Sequence, residues 1–277
     1  MPSPAPFHLG STRALVTGAS RGIGRAIALA LAEAGADIAV TARSADGLKQ
    51  TAEAIARTGR RAEVVPGDLL DPREPARIVA EAATQLGGLD LLVHNAGLLP
   101  ADEHGNTVFA PLQDSTPAQW EPVLTVNLRA TVALCRAAHP HLAASPRASI
   151  LLVSSVAGLM AVPTMEAYGV TKAAELSLTR SLAVGWARQG IRVNALCPGW
   201  VRTDMTAAVH THPPTAAWLL AHVPLGRWAE PTEVAGAAVF LSSPAAAFVT
   251  GHALVVDGGL TLPDGGLAGF PKPPPPF

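Results

Sequence analysis

Short apolar runs alternate with longer helix-forming segments along almost the whole chain, and this alternation restricts the fold more than any other feature. Several of the runs are wholly apolar and have the length of β-strands, whereas the longer segments are typical of helices. The predicted strands are 13–17, 37–41, 62–65, 89–94, 149–154, 192–197 and 253–256. The predicted helices are 23–34, 46–58, 75–86, 117–144, 167–189 and 232–241.

Such an alternation predicts one parallel sheet that is covered by helices on both faces. Because crossovers between parallel strands are right-handed, the seven strands should form a doubly wound α/β sheet of the Rossmann type. A chain of 277 residues fits one such domain, which we expect at 11–262 with a substrate lid at about 200–224. We expect residues 1–10 to be a flexible leader and the Gly- and Pro-rich residues 263–277 to be a tail.

Charge and composition exclude several classes of partner. The formal net charge is -1 without a run of like charges, so neither a nucleic acid nor an anionic membrane is an expected partner. No apolar stretch is long enough to span a bilayer, and the first residues do not resemble a signal peptide. Cys135 and Cys197 lie far apart without metal-ligand spacing. We therefore expect a cytoplasmic protein that acts on a small molecule and binds no metal.

A glycine-rich segment, TGASRGIG, lies between the first predicted strand and the first predicted helix. Small residues there allow the backbone to approach a pyrophosphate, and the N–H groups and dipole of the following helix favour its negative charge. The position of the motif directly after the first strand predicts a dinucleotide site. The candidate contacts in this loop are Gly18, Ser20, Arg21, Gly22, Ile23 and Gly24.

The residue at the end of the second strand indicates which dinucleotide fits. A carboxylate there would accept a hydrogen bond from the ribose 2′-hydroxyl and repel a 2′-phosphate. The second strand instead leads through Thr41 and Ala42 to Arg43, whose guanidinium can bind a 2′-phosphate, and Arg21 could add a second contact. NADP(H) is therefore the expected cofactor, although neither arginine excludes NAD(H).

The chain's single tyrosine, Tyr168, precedes Lys172 by four residues at the start of a predicted helix. Residues at this spacing share a helix face, so the phenol and the ammonium can point at one place. An ordinary phenol is a poor base at neutral pH, and a nearby cation favours its phenolate form. The pair therefore predicts proton transfer by Tyr168 to or from a substrate.

These motifs together resemble those of the classical short-chain dehydrogenase/reductase family, over roughly residues 11–259. Tyr168 and Lys172 match the family's YxxxK motif, and its serine, thirteen residues before the tyrosine, matches Ser155, with Ser154 as the neighbouring alternative. Its asparagine corresponds to Asn127. The resemblance implies that Ser155 orients the substrate oxygen, that Lys172 binds the nicotinamide ribose and that Asn127 holds a water that relays protons.

The same resemblance implies further cofactor contacts. Asp68 and Leu69 resemble the pair that recognises adenine. Asn95, Ala96 and Gly97 resemble the turn that lies below the cofactor in the family. His94 precedes this turn, at a position where the family more often has asparagine. Pro198 and Gly199, followed by Val201 and Thr203, resemble the family's segment that holds the nicotinamide carboxamide. The family also implies a homotetramer or homodimer that is packed through helices 117–144 and 167–189.

The expected function is reduction of a ketone or aldehyde by NADPH, or oxidation of the matching secondary alcohol, with Tyr168 as the acid/base. Apolar residues in the lid, including Trp200, Met205 and Trp218, favour a substrate with apolar parts. Two alternatives remain at this point: an NAD-dependent alcohol or sugar-acid dehydrogenase, and a non-catalytic dinucleotide-binding sensor or scaffold. Segment 98–115 is long and polar, but the sequence assigns it no contact.

Overall fold

The computed structural model describes residues 6–263, and in them seven parallel strands form one sheet. The strand order is β3-β2-β1-β4-β5-β6-β7, which confirms the predicted doubly wound α/β class. The strands are β1 (Arg13–Thr17), β2 (Asp37–Thr41), β3 (Ala62–Val64), β4 (Leu91–His94), β5 (Ser149–Val153), β6 (Arg192–Pro198) and β7 (Ala253–Val256).

Five of the six predicted helices are present as single α-helices, and the substrate side contributes short helices in addition. The α-helices are α1 (Gly22–Glu33), α2 (Ala45–Ala56), α3 (Glu74–Leu86), α4 (Pro117–Leu124), α5 (Ala130–Ala143), α6 (Glu166–Trp186), α7 (Ala207–His210), α8 (Pro213–Leu220) and α9 (Pro231–Ser242). The predicted helix 117–144 is wrong as one continuous α-helix, because a π-helical turn at Thr125–Arg129 separates α4 from α5. The N–H of Ala130 bonds the carbonyl of Thr125, five residues back, which widens the helix at Asn127.

Helices cover both faces of the sheet, and this explains why its strands are apolar throughout. In β1, Ala14 and Val16 belong to the core that packs against α1 and α9. Leu15, between them, faces the opposite core with residues of α3 and α5. All three side chains are fully buried. Both faces of the strand are thus dry, as expected for a parallel sheet between two helical layers.

The strand order reverses between β1 and β4, which are neighbours in the sheet but lead to opposite edges. In sheets of this kind the connections after the two strands diverge and leave a crevice at their carboxyl ends. The segments after β1, β4, β5 and β6 all line one cavity at this edge. The topology therefore places the glycine loop, the turn at residues 95–97 and the start of the lid beside one another.

The described part of the expected leader packs against the domain. Residues 6–10 of the expected leader contact the domain: the Leu9 N–H donates to the carbonyl of Ala34, and the Phe7 ring lies 6.4 Å from that of Phe240. The expected tail, apart from Pro263, lies outside the described residues. The division into leader, domain and tail remains a prediction. Within residues 6–263, no helix is long and apolar enough to cross a membrane.

Candidate active site

The cavity at the carboxyl-terminal edge of the sheet has a volume of about 1930 Å3. The residues that we predicted as catalytic or cofactor-binding all line it, except Gly24 and Asn127. Predicted contacts that are scattered from the first strand to the lid are therefore gathered around one space. The lid segment 200–224 forms one wall, and α7 and α8 lie within it.

The glycine loop has the geometry of an anion cradle. Gly18 and Gly22 have φ angles of +65° and +56°, which L side chains rarely adopt. At the start of α1 the N-cap residue, Arg21, makes no side-chain cap bond. The first N–H groups of this helix can therefore bind an anion in the cavity. This loop fits the pyrophosphate of a dinucleotide.

Gly24 differs from the other predicted contacts of the glycine loop, because it does not line the cavity. Its α-carbon faces the rest of the loop and the turn after β4. A β-carbon at this position would lie 2.8 Å from the carbonyl carbon of Gly18 and would overlap both the oxygen of that carbonyl and the side-chain nitrogen of Asn95. Glycine at this position therefore allows α1 to pack closely against the loop. It does not serve to make space for a ligand.

The two candidate arginines differ in their surroundings. Arg21 forms an ion pair with Asp204 of the lid, with 2.9 Å between Nη1 and Oδ2. Both side chains are largely exposed, so this contact contributes little stability. Arg43 lines the cavity and makes no ion pair within residues 6–263. Arg43 is therefore the arginine that is already available to a phosphate.

Tyr168 and Lys172 line the cavity from one face of α6, and the Lys172 Nζ lies 5.7 Å from the centroid of the Tyr168 ring. Nζ donates to the carbonyl oxygen of Val153 at 2.9 Å and to Oε1 of Glu175 at 3.0 Å. Burial alone lowers the pKa of the Lys172 ammonium, but its interactions, chiefly with the Glu175 carboxylate, more than compensate and raise it above its ordinary value. Lys172 is therefore an ammonium ion beside the phenol.

The geometry distinguishes the two candidate serines. The Ser154 hydroxyl is buried and donates to the backbone carbonyl of Lys172 at 2.9 Å. Ser155 lines the cavity, and its Oγ accepts a hydrogen bond from the Ala157 N–H at 3.1 Å. Since Oγ acts there only as an acceptor, its hydrogen remains available to a substrate oxygen. Ser155 therefore fits the substrate-orienting position, whereas Ser154 fixes α6 to β5.

Asn127 has a buried side chain in the π-helical turn. Its Oδ1 accepts from the Leu98 N–H at 2.8 Å, and its Nδ2 donates to the Leu98 carbonyl at 3.0 Å and to the Thr171 hydroxyl at 3.2 Å. The Thr171 hydroxyl in turn donates to the Tyr168 carbonyl. The Asn127 side chain therefore ties α6 to the segment after the 95–97 turn.

Thr17, the last residue of β1, was not among the predicted site residues. Its hydroxyl oxygen accepts hydrogen bonds from the N–H groups of Asn95 and Ala96, each at 3.0 Å, and lies 2.9 Å from Nδ1 of His94. With two donors already bound, this hydroxyl donates its own hydrogen to Nδ1. Thr17 thus holds the turn at residues 95–97 beside the glycine loop. A hydroxyl directly before Gly18 was the available sequence signal.

The substrate side of the cavity is mainly apolar. Segment 98–115, to which the sequence assigned no contact, contributes Leu99, Thr107 and Phe109 to the lining. Further apolar lining residues on this side include Met160, Val162, Met165, Trp200, Met205, Val209, Trp218 and Leu219. The lid adds the polar side chains of His212, Thr215 and His222. Among the described residues, no group of three His, Cys, Asp or Glu side chains could hold a metal ion.

Comparison with known proteins identifies the family. The family profile described as enoyl-(acyl carrier protein) reductase matches residues 18–261, which is most of the chain. The chain is a classical short-chain dehydrogenase/reductase. As a member of this family it is an oxidoreductase, and the alternative of a non-catalytic sensor or scaffold is thereby set aside.

Several relatives of this short-chain dehydrogenase/reductase have assigned activities. Gluconate 5-dehydrogenase of Gluconobacter oxydans is 35% identical over 95% of this chain and 99% of its own. Cis-4-hydroxycyclohexanecarboxylate dehydrogenase of Sinomonas cyclohexanicum is 41% identical over 90% and 96%. A crystal structure of gluconate 5-dehydrogenase from Burkholderia cenocepacia, in complex with NADP and tartrate, is 35% identical with a TM-score of 0.85, over 92% and 97% of the two chains.

His94, which replaces the family's more frequent asparagine, leads to a prediction about stability and pH. Burial, reinforced by the positive charge of Lys172, lowers its pKa to about 3. Because the unfolded chain takes up this proton near pH 6.5, the free energy of unfolding falls by about 1.4 kcal/mol per pH unit between pH 6.5 and pH 3. Urea unfolding should show that His94→Asn lacks this contribution, so its stability relative to the wild type improves as the pH falls.

His104→Asn is the matched control, because this histidine lies on the exposed 98–115 segment. In this variant the free energy of unfolding should depend on pH as it does in the wild type. If the stability difference between His94→Asn and the wild type is the same at pH 7 and pH 5, the histidine is not held neutral by burial.

Proposed function

We propose that this enzyme transfers a hydride between NADP(H) and a carbonyl or alcohol carbon, with Tyr168 as the acid/base. The observation that carries the proposal is the meeting of Tyr168, Lys172 and Ser155 in one cavity beside the glycine loop. A phenol, a cation and a hydroxyl are the groups required to protonate and orient a carbonyl oxygen.

Each side chain has a defined role in this mechanism. The Ser155 hydroxyl donates a hydrogen bond to the substrate oxygen, and Tyr168 delivers a proton to it in reduction or removes one in oxidation. Lys172 favours the phenolate through its charge, since its Nζ lies 5.7 Å from the ring. The nicotinamide dinucleotide, when bound, supplies or accepts the hydride. Asn127 serves this mechanism by fixing Thr171 and Leu98 around the tyrosine.

The residues proposed to hold the dinucleotide follow its length across the cavity. The glycine loop and the start of α1 bind the pyrophosphate, while Asp68 and Leu69 contact the adenine. The turn at residues 95–97 supports the cofactor from the sheet. The residues proposed for the nicotinamide end are Pro198, Gly199, Val201 and Thr203, at the end of β6 and the start of the lid. All of these residues except Gly24 line the cavity, which supports the assignment.

NADP(H) is the proposed cofactor, and NAD(H) is the weaker alternative. The Burkholderia cenocepacia relative was crystallised with NADP. Arg43 lines the cavity at the end of β2, where a carboxylate would repel a 2′-phosphate. We expect Arg43→Ala to weaken NADPH binding about tenfold to a hundredfold, because a charge-assisted hydrogen bond is lost. Fluorescence titration with NADPH and NADH measures this effect.

Arg57→Ala is the matched control, since Arg57 is an exposed arginine at the end of α2 and outside the cavity. It should leave both affinities unchanged, and Arg43→Ala should leave the NADH affinity nearly unchanged. Equal losses of NADPH and NADH affinity in Arg43→Ala would show that the arginine does not read the 2′-phosphate.

For the substrate we propose a secondary alcohol, or the matching ketone, on a small carboxylic acid skeleton. Two relatives act, by their names, on gluconate and on a hydroxycyclohexanecarboxylate. Both compounds are hydroxy acids. The apolar lining favours the ring compound, whereas His212, Thr215 and His222 in the lid provide polar contacts that a sugar acid would use.

Loss of NADPH absorbance with a panel of carbonyl compounds tests the proposed function. The panel contains 5-ketogluconate, 4-oxocyclohexanecarboxylate, and cyclohexanone as the control without a carboxylate. We expect turnover with at least one of the two acids at a higher kcat/KM than with cyclohexanone. An enzyme that binds NADPH but reduces no member of the panel, and oxidises none of the matching alcohols with NADP, contradicts the proposal.

Two further features are proposed rather than shown. We place the enzyme in the cytoplasm, since both cysteines are free thiols and are buried. We also propose a homotetramer, or a homodimer, that packs through α4, α5 and α6. The side chains of Val170 and Val184 on α6 are 51% and 82% exposed, which supports a partner on that helix. Light scattering measures the assembly.

A further inference from the structure

The cavity lies in front of a buried ion pair that the mechanism so far has not used. Lys172 and Glu175 are separated by one turn of α6, and their side chains are 3% and 1% exposed. Lys172 lines the cavity, but Glu175 does not. The carboxylate therefore lies behind the ammonium, on the side away from the substrate.

Glu175 contacts Lys172 through both carboxylate oxygens. The distances from Nζ are 3.0 Å to Oε1 and 3.1 Å to Oε2. A third contact joins Nζ to the carbonyl oxygen of Val153 at 2.9 Å. An ammonium has three donors, so these three acceptors match them in number and fix the position of Nζ.

The surroundings of the pair contain little other charge. The titratable groups that act on it among the described residues are Tyr168 on α6, His94 on β4, Cys135 on α5 and Cys197 on β6. Burial lowers the pKa of His94 to about 3 and raises the pKa of the two thiols to about 12 and about 11, so all three groups are neutral near pH 7. Glu175 is therefore the anion that balances Lys172.

Burial also raises the pKa of the Glu175 carboxyl, and the ammonium offsets part of this effect. The two short contacts to Nζ are nevertheless those of an ion pair. We take both groups as charged. The electrostatic effect of Lys172 on Tyr168 is then reduced by a negative charge directly behind it.

We propose that Glu175 is a positioning residue of the active site, which holds the Lys172 ammonium at the cavity wall and limits how strongly it favours the Tyr168 phenolate. The inference rests on the proposed role of Tyr168. A buried residue outside the cavity, Glu175, would then help to set the pH range in which the enzyme is active.

Glu175→Gln tests this inference, because an amide keeps the size of the side chain and removes its charge. Without the Glu175 carboxylate, the charge around Tyr168 and Lys172 is more positive. This pair should therefore release its first proton at a lower pH. In alcohol oxidation at saturating NADP, we expect the rising limb of the kcat–pH profile to move down by about one pH unit. The profile should move to lower pH whether the proton leaves the Tyr168 phenol alone or is shared between Tyr168 and Lys172.

Thr179→Val is the matched control on the same buried face of α6. Its hydroxyl donates to the backbone carbonyl of Glu175 at 2.9 Å, so its loss disturbs the helix without changing the charge. This variant should lower the Tm and leave the pH profile in place. A shift in both variants would indicate a general structural effect and overturn the inference.

Glu175→Asp keeps the charge but withdraws it from Nζ. It should move the limb in the same direction by a smaller amount, and it serves as the test if Glu175→Gln does not fold. An unshifted profile in a folded Glu175→Gln, or in Glu175→Asp where only that variant folds, overturns the inference while leaving the role of Tyr168 intact. Retained turnover in Tyr168→Phe would instead remove the basis of both.

Discussion

Replacement of Tyr168 by phenylalanine should lower kcat by roughly 10²–10⁴-fold, because the variant lacks the group that transfers the proton. The ring itself remains, so the wall of the cavity and the packing of α6 should change little. The Kd for NADPH should stay close to that of the wild type, because the glycine loop and Lys172 are untouched. Stopped-flow turnover and fluorescence titration on the same preparation measure the two quantities.

Trp186→Phe is a suitable control, because Trp186 lies at the other end of α6 and contacts the tilted ring of His139 at 4.7 Å between ring centroids. It is an aromatic change on the same helix outside the cavity, and turnover should persist. The proposed mechanism fails if Tyr168→Phe keeps the activity of the wild type. A parallel loss of NADPH binding would place the tyrosine in binding rather than in proton transfer.

Gly24→Ala should lower the free energy of unfolding by about 3 kcal/mol and abolish most NADPH binding. A methyl group at this position would overlap the Gly18 carbonyl oxygen and the Asn95 side chain, so the glycine loop would have to move away from α1. Overpacking of a close contact usually costs about 1–3 kcal/mol, and here the obstructing atoms include backbone. Urea unfolding with and without NADPH measures both effects.

Gly236→Ala in α9 is the opposite case and serves as the control. Apart from the adjoining backbone of α9, no heavy atom of residues 6–263 lies within 4 Å of the β-carbon that it would add. Since alanine favours a helix over glycine by up to about 1 kcal/mol, this variant should be slightly more stable than the wild type. If Gly24→Ala is as stable as Gly236→Ala, the close approach at the glycine loop does not exist in solution.

Several elements were predictable because their signals are local in the sequence. The apolar runs predicted six of the seven strands to within one residue at each end, whereas the seventh, β4, begins two residues later than predicted, at Leu91. The side chains of Tyr168 and Lys172 share a face because the helix repeat fixes positions four apart. The long helix was mispredicted at Asn127, since the π-helical turn has no local sequence signal and accompanies contacts of Asn127 with Leu98 and Thr171.

The order of strands and helices, the position of the glycine loop and the pairing of Tyr168 with Lys172 could be predicted without a structure. Each depends on residues within a few turns or strand positions of one another. Long-range packing was needed to place Ser155 on the cavity and Ser154 in the interior, to press Gly24 against the loop, and to bury Glu175 behind Lys172. These outcomes depend on which surfaces are brought together by segments far apart in the chain. Burial changes the free energy of a charge or a hydroxyl far more than its sequence neighbours do.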